Sequence, residues 1–440
     1  MKNGKRKRKL TKPNRSEQIQ KKKHGRKPNI HVRVLPSRRR LIFRAELQRL
    51  HAKAAHPTWP SLSNPVPFLP HCSPADPTMA LQFVYSDRDL VPDVRRSSGK
   101  RPGIAPSATE FDRTIRAGWT DRMKAGLFRY HLGDLQTRIL PGPHGYVAQL
   151  NIERGIERRK PQEILSIQQE FNGEQFNFNK INPEEILFEM IKEVEGGSEK
   201  GPLHEPCRMV VLVNVSPLEF GHCLLVPDPS GCLPQVVTSF AIRVGIESVL
   251  LSSDPGFRVG FNSLGAFASV NHLHLHGYYL EHQLEIESMP VKPLVPEKGF
   301  YGLLDFPAGF LFYTESERVE EVAEAVCRVT NFLVDGDVAH NLFLTRGSPP
   351  RGRTRSEEER CSRRGVRVAV WPRASCFGAK EESAFNVALC ELAGHLPFKN
   401  KKDYELISER DVTDIIQRYL LPDSEFHTLE QQLTRHLKDL

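Results

Sequence analysis

The chain has 440 residues, which is room for two or three domains of about 150 residues each. Its 39% hydrophobic and 26% charged residues are ordinary for a globular protein and exclude collagen-like, coiled-coil and wholly disordered classes. The net charge of +9 is unevenly distributed: residues 1–53 carry 20 Lys and Arg and two acids, whereas the remaining 387 residues carry a net charge of −9. The basicity therefore belongs to an N-terminal segment, and nucleic acid is not the partner we expect for the rest of the chain.

Hydropathy and cysteine usage indicate the cellular compartment in which the protein is expected. No apolar run approaches the roughly 18 residues that a membrane span needs, and the first residues lack the apolar core of a secretory signal. Eight cysteines are scattered without a C-x-x-C pair, a pattern typical of reduced thiols. We therefore predict a cytoplasmic protein with no membrane partner, while the oligomeric state stays open.

The N-terminal segment has the composition of an unfolded arm. Three clusters of Lys and Arg lie within residues 1–53, and seven prolines follow within residues 54–78. We expect a disordered basic arm and linker over residues 1–78. A plainer alternative is that the functional chain begins at Met79 and that the arm is an upstream extension.

Periodic patterns then predict the first set of elements. Asn182, Pro183 and Glu185 are typical of a helix start, so a helix is expected over residues 182–194. Two short apolar runs, residues 209–215 and 222–226, predict a strand–turn–strand unit. A helix over residues 235–252 and strands over residues 257–261 and 270–280 follow.

The same order recurs further along the chain. A helix is predicted over residues 317–334, with strands over residues 341–345 and 366–371 and closing helices over residues 381–396 and 412–420. Helix–strand–strand occurring twice predicts an α+β fold of two duplicated units with antiparallel sheets and packed helices. We place these units at residues 79–300 and 301–440.

Three alternating histidines are the sharpest chemical signal. On a strand, His272, His274 and His276 would share one face at intervals of about 6.6 Å, while Leu273 and Leu275 point into a core. A satisfied core histidine explains one such residue well, but three imidazoles on one face are costly to bury without partners.

Two kinds of site fit this pattern. A metal site would need further ligands, and the spare candidates form no ligand-spaced cluster. They are His222, His340, His395 and Glu219. The alternative is a histidine nucleophile acting on phosphorus, and residues 257–269 favour it. They predict a strand and a small-residue turn ending at Ser269, which is suited to cradling phosphate. We therefore expect no metal.

Several segments carry a family resemblance. Residues 210–227, followed by a helix and the His-Leu-His-Leu-His run, resemble the histidine-triad (HIT) superfamily. Residues 145–151, 175–181, 339–347 and 385–395 resemble the GDP-hexose phosphorylase branch, so the likeness extends over about residues 127–396. His276 and the Gly-Tyr-Tyr-Leu that follows it resemble the animal members, whereas the plant members have Gln in place of His276.

The resemblance implies a fold and a reaction. The fold would consist of duplicated HIT-like units with one catalytic copy. The substrates would be GDP-D-glucose and inorganic phosphate, and the products GDP and D-glucose 1-phosphate. His274 would form a guanylyl-histidine, His272 and His276 would neutralise charge on the phosphate, and no cofactor is implied. Asn262 and Ser269 are expected to contact phosphate or ribose.

Two cations complete the predicted site. Lys180 is a weaker candidate phosphate ligand, because an isolated Lys is more often a solvated surface charge. In the second unit, Arg367, Ala369 and Trp371 alternate on the strand that corresponds to the triad strand, and Arg367 is our candidate for binding the incoming phosphate. A HIT-type nucleotide hydrolase, and a nucleic-acid-binding protein using the basic arm, are the alternative functions.

Overall fold

The computed structural model describes residues 81–94, 108–193, 208–352, 362–377 and 384–439. The predicted arm and linker over residues 1–78 lie outside these ranges. Within them, fourteen strands and eight α-helices are assigned. The strands are β1 (Gln82–Tyr85), β2 (Gln136–Ile139), β3 (Val147–Leu150), β4 (Ile186–Lys192), β5 (Met209–Val213), β6 (Cys223–Pro227), β7 (Phe257–Asn262), β8 (Leu275–Tyr279), β9 (Val291–Val295), β10 (Phe300–Leu303), β11 (Phe310–Thr314), β12 (Ala339–Gly347), β13 (Gly365–Arg373) and β14 (His395–Phe398). The helices are α1 (Glu110–Lys124), α2 (Ile152–Glu157), α3 (Ser239–Leu251), α4 (Val319–Asp335), α5 (Leu389–Leu392), α6 (Lys401–Leu406), α7 (Glu409–Gln417) and α8 (Asp423–Lys438).

Eleven of these strands form one sheet in the order β1-β4-β5-β6-β8-β7-β12-β13-β11-β10-β9. The edge pair β1–β4 is parallel and the other neighbours are antiparallel. The strand order is mirrored about the central β7–β12 pair. Outward from β7 the strands are β8, β6, β5 and β4, and outward from β12 they are β13, β11, β10 and β9. A helix precedes each inner hairpin, α3 before β7 and α4 before β12. The predicted α+β class is confirmed.

The sheet is covered on both faces. On one face, α1, α3, α4 and α8 pack their apolar stripes against the strands. The other face carries a second core, formed by the small sheet β14-β3-β2 together with α5 and α7. The histidines of the triad face this second side, where the site is built.

The helix predicted over residues 182–194 is wrong. Its cap forms as expected, since the Asn182 side chain accepts from the N–H of Glu184, but it opens a single 3-10 turn, Pro183–Glu185. The chain then continues as β4. The apolar residues of this segment fit either period, and pairing with β1 and β5 on both sides stabilises the strand.

The predicted closing helix over residues 381–396 is mostly absent. Residues 381–383 lie outside the described ranges, and beyond them only α5 is helical. Gly394, with a φ of 99°, turns the chain so that β14 can pair with β3 in parallel.

The remaining predicted elements are found within a few residues of their expected bounds. Strands β5, β6, β7, β12 and β13 and helices α3, α4 and α7 all correspond to predicted segments. The boundary predicted between residues 300 and 301 falls just inside β10, which pairs with β9. Among the described residues, no helix is long and apolar enough to span a bilayer.

Candidate active site

The histidine strand begins later than predicted. Since β8 starts one residue after His274, only His276 lies within it. Because His274 lies before the strand, its backbone has no strand partner, and the side chain of Gln235 supplies hydrogen bonds instead. The Oε1 atom of Gln235 accepts from the backbone N–H of His274 at 3.0 Å. Its Nε2 donates to the carbonyls of His274 and Asn262 at 3.1 and 3.0 Å. Gln235 therefore fixes the backbone of the middle histidine against the end of β7.

The side-chain bonds of His274 define its tautomer. Its Nδ1 lies 2.7 Å from the carbonyl oxygen of His272, and a carbonyl can only accept, so Nδ1 carries the proton. Nε2 is then the nitrogen with the lone pair. Burial lowers the pKa of His274 to about 4, so the ring is neutral near pH 7. A buried, neutral imidazole with one available lone pair is a competent nucleophile.

A second chain of bonds defines the tautomer of His276. The backbone N–H of Leu218 donates to Nδ1 of His222 at 2.7 Å, which leaves the proton of His222 on Nε2. That Nε2 lies 3.1 Å from Nδ1 of His276 and donates to it, so His276 carries its proton on Nε2. Burial, followed by the neighbouring His274 and His222, lowers the pKa of His276 well below 6.5. His276 is thus a neutral hydrogen-bond donor.

His272 is held between aromatic rings. The backbone N–H of Phe178 donates to its Nδ1 at 3.0 Å, and the ring of Phe171 lies 5.1 Å away. Phe178 also contacts His274 at 5.1 Å between ring centroids. Burial lowers the pKa of His272 to about 4. Its Nε2 is buried and makes no hydrogen bond among the described residues, although the backbone carbonyl of Pro229 is near enough to raise the pKa of the ring against the effect of burial.

His274 and His276 border a cavity with two lobes, whereas His272 lines neither lobe. The large lobe has a volume of about 380 Å³ and the small lobe about 80 Å³. Both are lined by His276, Ser269, Arg154, Arg158 and Arg159. His274 lines the small lobe. The large lobe adds polar groups from the second half of the chain, and the small lobe adds apolar ones.

Two of the predicted ligand residues lie at this cavity. Ser269 lines both lobes, and Asn262 lines the large lobe. The Oδ1 atom of Asn262 accepts from the side chain of Asn341 at 2.7 Å and from the backbone N–H of Leu389 at 2.9 Å. Because the oxygen is occupied, the Nδ2 amide group is the part of Asn262 left to donate to a ligand.

The two predicted cations are not brought to the cavity. Lys180 donates to the carbonyl of Glu174 at 3.0 Å and is exposed. Arg367 is fully buried and donates to the carbonyls of Ser348 at 2.8 Å and Met289 at 2.8 Å, among others. Its guanidinium is used to bind loop backbone. The prediction that Arg367 binds phosphate is therefore wrong.

Other cations take that place. The large lobe is lined by Arg154, Arg158, Arg159, Lys160 and Lys399. Among the described residues, none hydrogen-bonds or ion-pairs with the guanidinium of Arg158, and burial lowers its pKa to about 10. A partly buried cation in this state is suited to an anionic ligand. The density of basic residues between 154 and 160 was the sequence signal for this site.

The described residues contain no group of three or more His, Cys, Asp and Glu side chains placed to hold a metal ion. The spare ligand candidates are instead dispersed or engaged in hydrogen bonds. His395, for example, lies 2.6 Å through Nε2 from the Oε1 atom of Gln149, and His340 lies on β12. Independence from metal stays a prediction.

Comparisons with known proteins agree with these features. Two family models match, "GDPGP1-like, N-terminal domain" over residues 110–278 and "GDPGP1-like, C-terminal domain" over residues 285–440. GDP-D-glucose phosphorylase 1 of Danio rerio is 58% identical over 81% of this chain and 98% of its own length. The Homo sapiens protein of that name is 49% identical over 80% and 90%.

A plant protein and a solved yeast structure are more distantly similar to this chain. GDP-L-galactose phosphorylase 1 of Arabidopsis thaliana is 29% identical over 78% of this chain and 77% of its own length. The crystal structure of yeast Ap4A phosphorylase Apa2 aligns with a TM-score of 0.48 at 15% identity, over 71% of this chain and 98% of that one. On the family models and the vertebrate relatives, the chain belongs to the GDPGP1-like family.

Proposed function

We propose that the chain catalyses the phosphorolysis of GDP-D-glucose to GDP and D-glucose 1-phosphate through a guanylyl-histidine at His274. The observation that carries this proposal is the bond from Nδ1 of His274 to the carbonyl of His272, which leaves Nε2 as the nucleophilic atom beside a cationic cavity. Relatives named GDP-D-glucose phosphorylase, at 49–58% identity, support the choice of substrate.

In the first step, Nε2 of His274 attacks the α-phosphorus and forms a P–N bond. The bond from that phosphorus to the bridging oxygen breaks, and D-glucose 1-phosphate leaves with the electron pair. This leaving group is a phosphate monoester with a second pKa of about 6, so it departs without a strong general acid. Catalysis then depends on stabilising charge on the equatorial oxygens, a role that we assign to the Nε2–H of His276 and the amide of Asn262 because both residues line the large lobe.

In the second step, an oxygen of inorganic phosphate attacks the same phosphorus and forms a P–O bond. The P–N bond breaks with its electron pair returning to Nε2, so GDP leaves and His274 is regenerated. Water is present at about 55 M, so capture by millimolar phosphate requires a site that binds it. The incoming phosphate takes the position that the phosphate of glucose 1-phosphate has left, since both lie in line with Nε2. Arg158 and Lys399 line the large lobe, and their charges offset repulsion between phosphate and bound GMP.

The geometry of Lys399 fits this role. Its Nζ donates to Oδ1 of Asn386 at 3.2 Å, and among the described residues no ion pair engages it. Burial, followed by the charge of Arg158, lowers the pKa of Lys399. Its backbone and side chain pack closely against Gly155 of α2, so the basic segment and the C-terminal half meet at one wall of the cavity.

The mirrored strand order supports two duplicated HIT-like units, β4–β8 and β9–β13. In the second unit, Arg367, Ala369 and Trp371 occupy alternate positions of β13, and none is a histidine. One catalytic centre per chain follows from this. A cytoplasmic location fits the cysteines at positions 223, 232, 376 and 390, which are free thiols.

Product analysis tests the proposal. The full chain is incubated with GDP-D-glucose, with and without phosphate. We expect equal amounts of GDP and glucose 1-phosphate with phosphate, and about one equivalent of glucose 1-phosphate per enzyme without it. Continuous, phosphate-independent formation of GMP would instead identify a hydrolase, and absence of any reaction with GDP-D-glucose would overturn the substrate assignment.

A further inference from the structure

The small lobe has the walls of a base-binding slot. Its apolar lining belongs largely to one compact cluster of side chains. The apolar lining residues of this cluster are Phe176, Phe178, Ile181, Leu212, Leu224 and Val270. Flat aromatic and aliphatic surfaces of this kind bind the faces of a purine, but they do not distinguish guanine from adenine.

One acid interrupts this lining. Among the described residues around the small lobe, Glu185 is the single carboxylate. It is the last residue of the 3-10 turn before β4, and its Oε1 accepts from the backbone N–H of Asn182 at 3.3 Å. A carboxylate has about four lone-pair positions, so this bond leaves capacity for further donors.

The charges around Glu185 keep it suited to a neutral donor pair. Burial raises its pKa, while Arg159 and Arg129 act in the opposite direction. The guanidinium of Arg159 lies 3.3 Å above the ring of Phe176, so its position is set by stacking. Among the described residues, no salt bridge of 4 Å or less joins Glu185 to a cation, and its carboxylate is not neutralised by direct pairing.

We propose that Glu185 selects guanine by accepting hydrogen bonds from its N1–H and its exocyclic amino group. This inference rests on the proposed function, because it assumes that the small lobe holds the base of the nucleotide on His274. Guanine presents two adjacent donors on that edge, which match the two oxygens of a carboxylate. Adenine presents the N1 lone pair there, and a carboxylate repels it.

Glu185→Gln is the informative variant. Its amide oxygen can still accept from Asn182, so the turn is preserved, but its NH₂ group opposes one of the two guanine donors. Glu184→Gln is the matched control, because Glu184 is the preceding residue of the same turn, is exposed and does not line the cavity. The substrates are GDP-glucose, IDP-glucose, which lacks the exocyclic amino group, and ADP-glucose.

The measured quantity is the ratio of kcat/KM values for two substrates on one preparation, which does not depend on the fraction of folded enzyme. We expect the unmodified protein to prefer GDP-glucose over IDP-glucose and ADP-glucose. Glu185→Gln should reduce kcat/KM for GDP-glucose by about 10- to 100-fold and bring the GDP-to-IDP ratio close to one. Glu184→Gln should leave both ratios unchanged.

Two results would overturn the proposal. One is an unchanged GDP-to-IDP ratio in Glu185→Gln, and the other is an equal loss with all three substrates, which a purely structural role would give. In either case the enzyme can still convert GDP-glucose and phosphate to GDP and glucose 1-phosphate. A failure of guanine selection is therefore distinguishable from a failure of the proposed reaction.

Discussion

His222 and His276 form a hydrogen-bonded pair in which one histidine sets the proton of the other. The 3.1 Å contact runs from Nε2 of His222 to Nδ1 of His276, and both side chains line the large lobe. His222 immediately precedes β6, and His276 lies on β8, which pairs with β6. The pairing of these two strands thus determines which nitrogen of His276 faces the substrate.

Removing this donor should slow the chemical step. In His222→Phe, His276 is free to place its proton on Nδ1, so the donor toward phosphate is lost. We expect kcat to fall by about 10- to 100-fold with little change in KM for GDP-glucose. His222→Gln can still donate through its amide and should recover part of the loss. Equal activity of His222→Phe and the unmodified protein, at matched Tm, would contradict this role.

Lys399 should control the partition between phosphate and water. In Lys399→Met, we expect KM for phosphate to rise about tenfold or more and free GMP to increase relative to GDP, because a charge that binds phosphate is lost. Lys401→Met is the control, since Lys401 is exposed on α6 and pairs with Glu405 at 3.5 Å. Product ratios at several phosphate concentrations measure this. An unchanged ratio in Lys399→Met would exclude Lys399 from the phosphate site.

The depressed pKa of His274 predicts a flat pH profile for the first half-reaction. With a pKa of about 4, the nucleophile stays deprotonated between pH 5 and 8. The rate of the glucose 1-phosphate burst should therefore change less than about twofold over this range. A histidine with an ordinary pKa of 6.5 would be about 97% protonated at pH 5, and the burst rate would fall about 30-fold. Rapid-quench measurements distinguish the two profiles.

The parts of the site that were predictable lie close together in sequence. The triad, Asn262 and Ser269 fall within fifteen residues, so a local pattern carries them. The cations of the cavity do not lie close together in sequence, since Arg158 and Lys399 are 241 positions apart. They meet because β3 and β14 pair in parallel, which places the residues after each strand side by side. Pairing between distant strands is not encoded in any short motif.

Arg367 and the segment after Pro183 show two further features that the sequence alone could not predict. The alternation of side chains along β13 was correctly predicted, but the loops that cover this strand were not. The guanidinium of Arg367 donates to the carbonyls of Ser348 and Met289 in those loops. The apolar spacing after Pro183 fits a helix equally well until β1 and β5 are known to flank it. In both cases tertiary neighbours decide between local alternatives.

His340 should make the fold sensitive to acid. Burial lowers its pKa to about 4, and its Nε2 has no partner among the described residues. Since the unfolded chain binds this proton near pH 6.5, stability is present above that pH and is lost as pH falls toward 4. In His340→Leu the decrease in the free energy of unfolding between pH 6.5 and 5 should be smaller. Urea titrations at each pH test this, and an unchanged dependence would contradict it.

The covalent intermediate is the central claim, and intact mass measurement tests it most directly. The full chain is mixed with GDP-D-glucose in the absence of phosphate, and the reaction is quenched. The intact mass of the protein is then measured by mass spectrometry, and the modified peptide is sequenced. We predict a mass increase of one GMP on His274, released as GDP when phosphate is added, and no increase in His274→Ala. An adduct that still forms in His274→Ala, or turnover by the unmodified protein with no adduct at any time, would contradict the account.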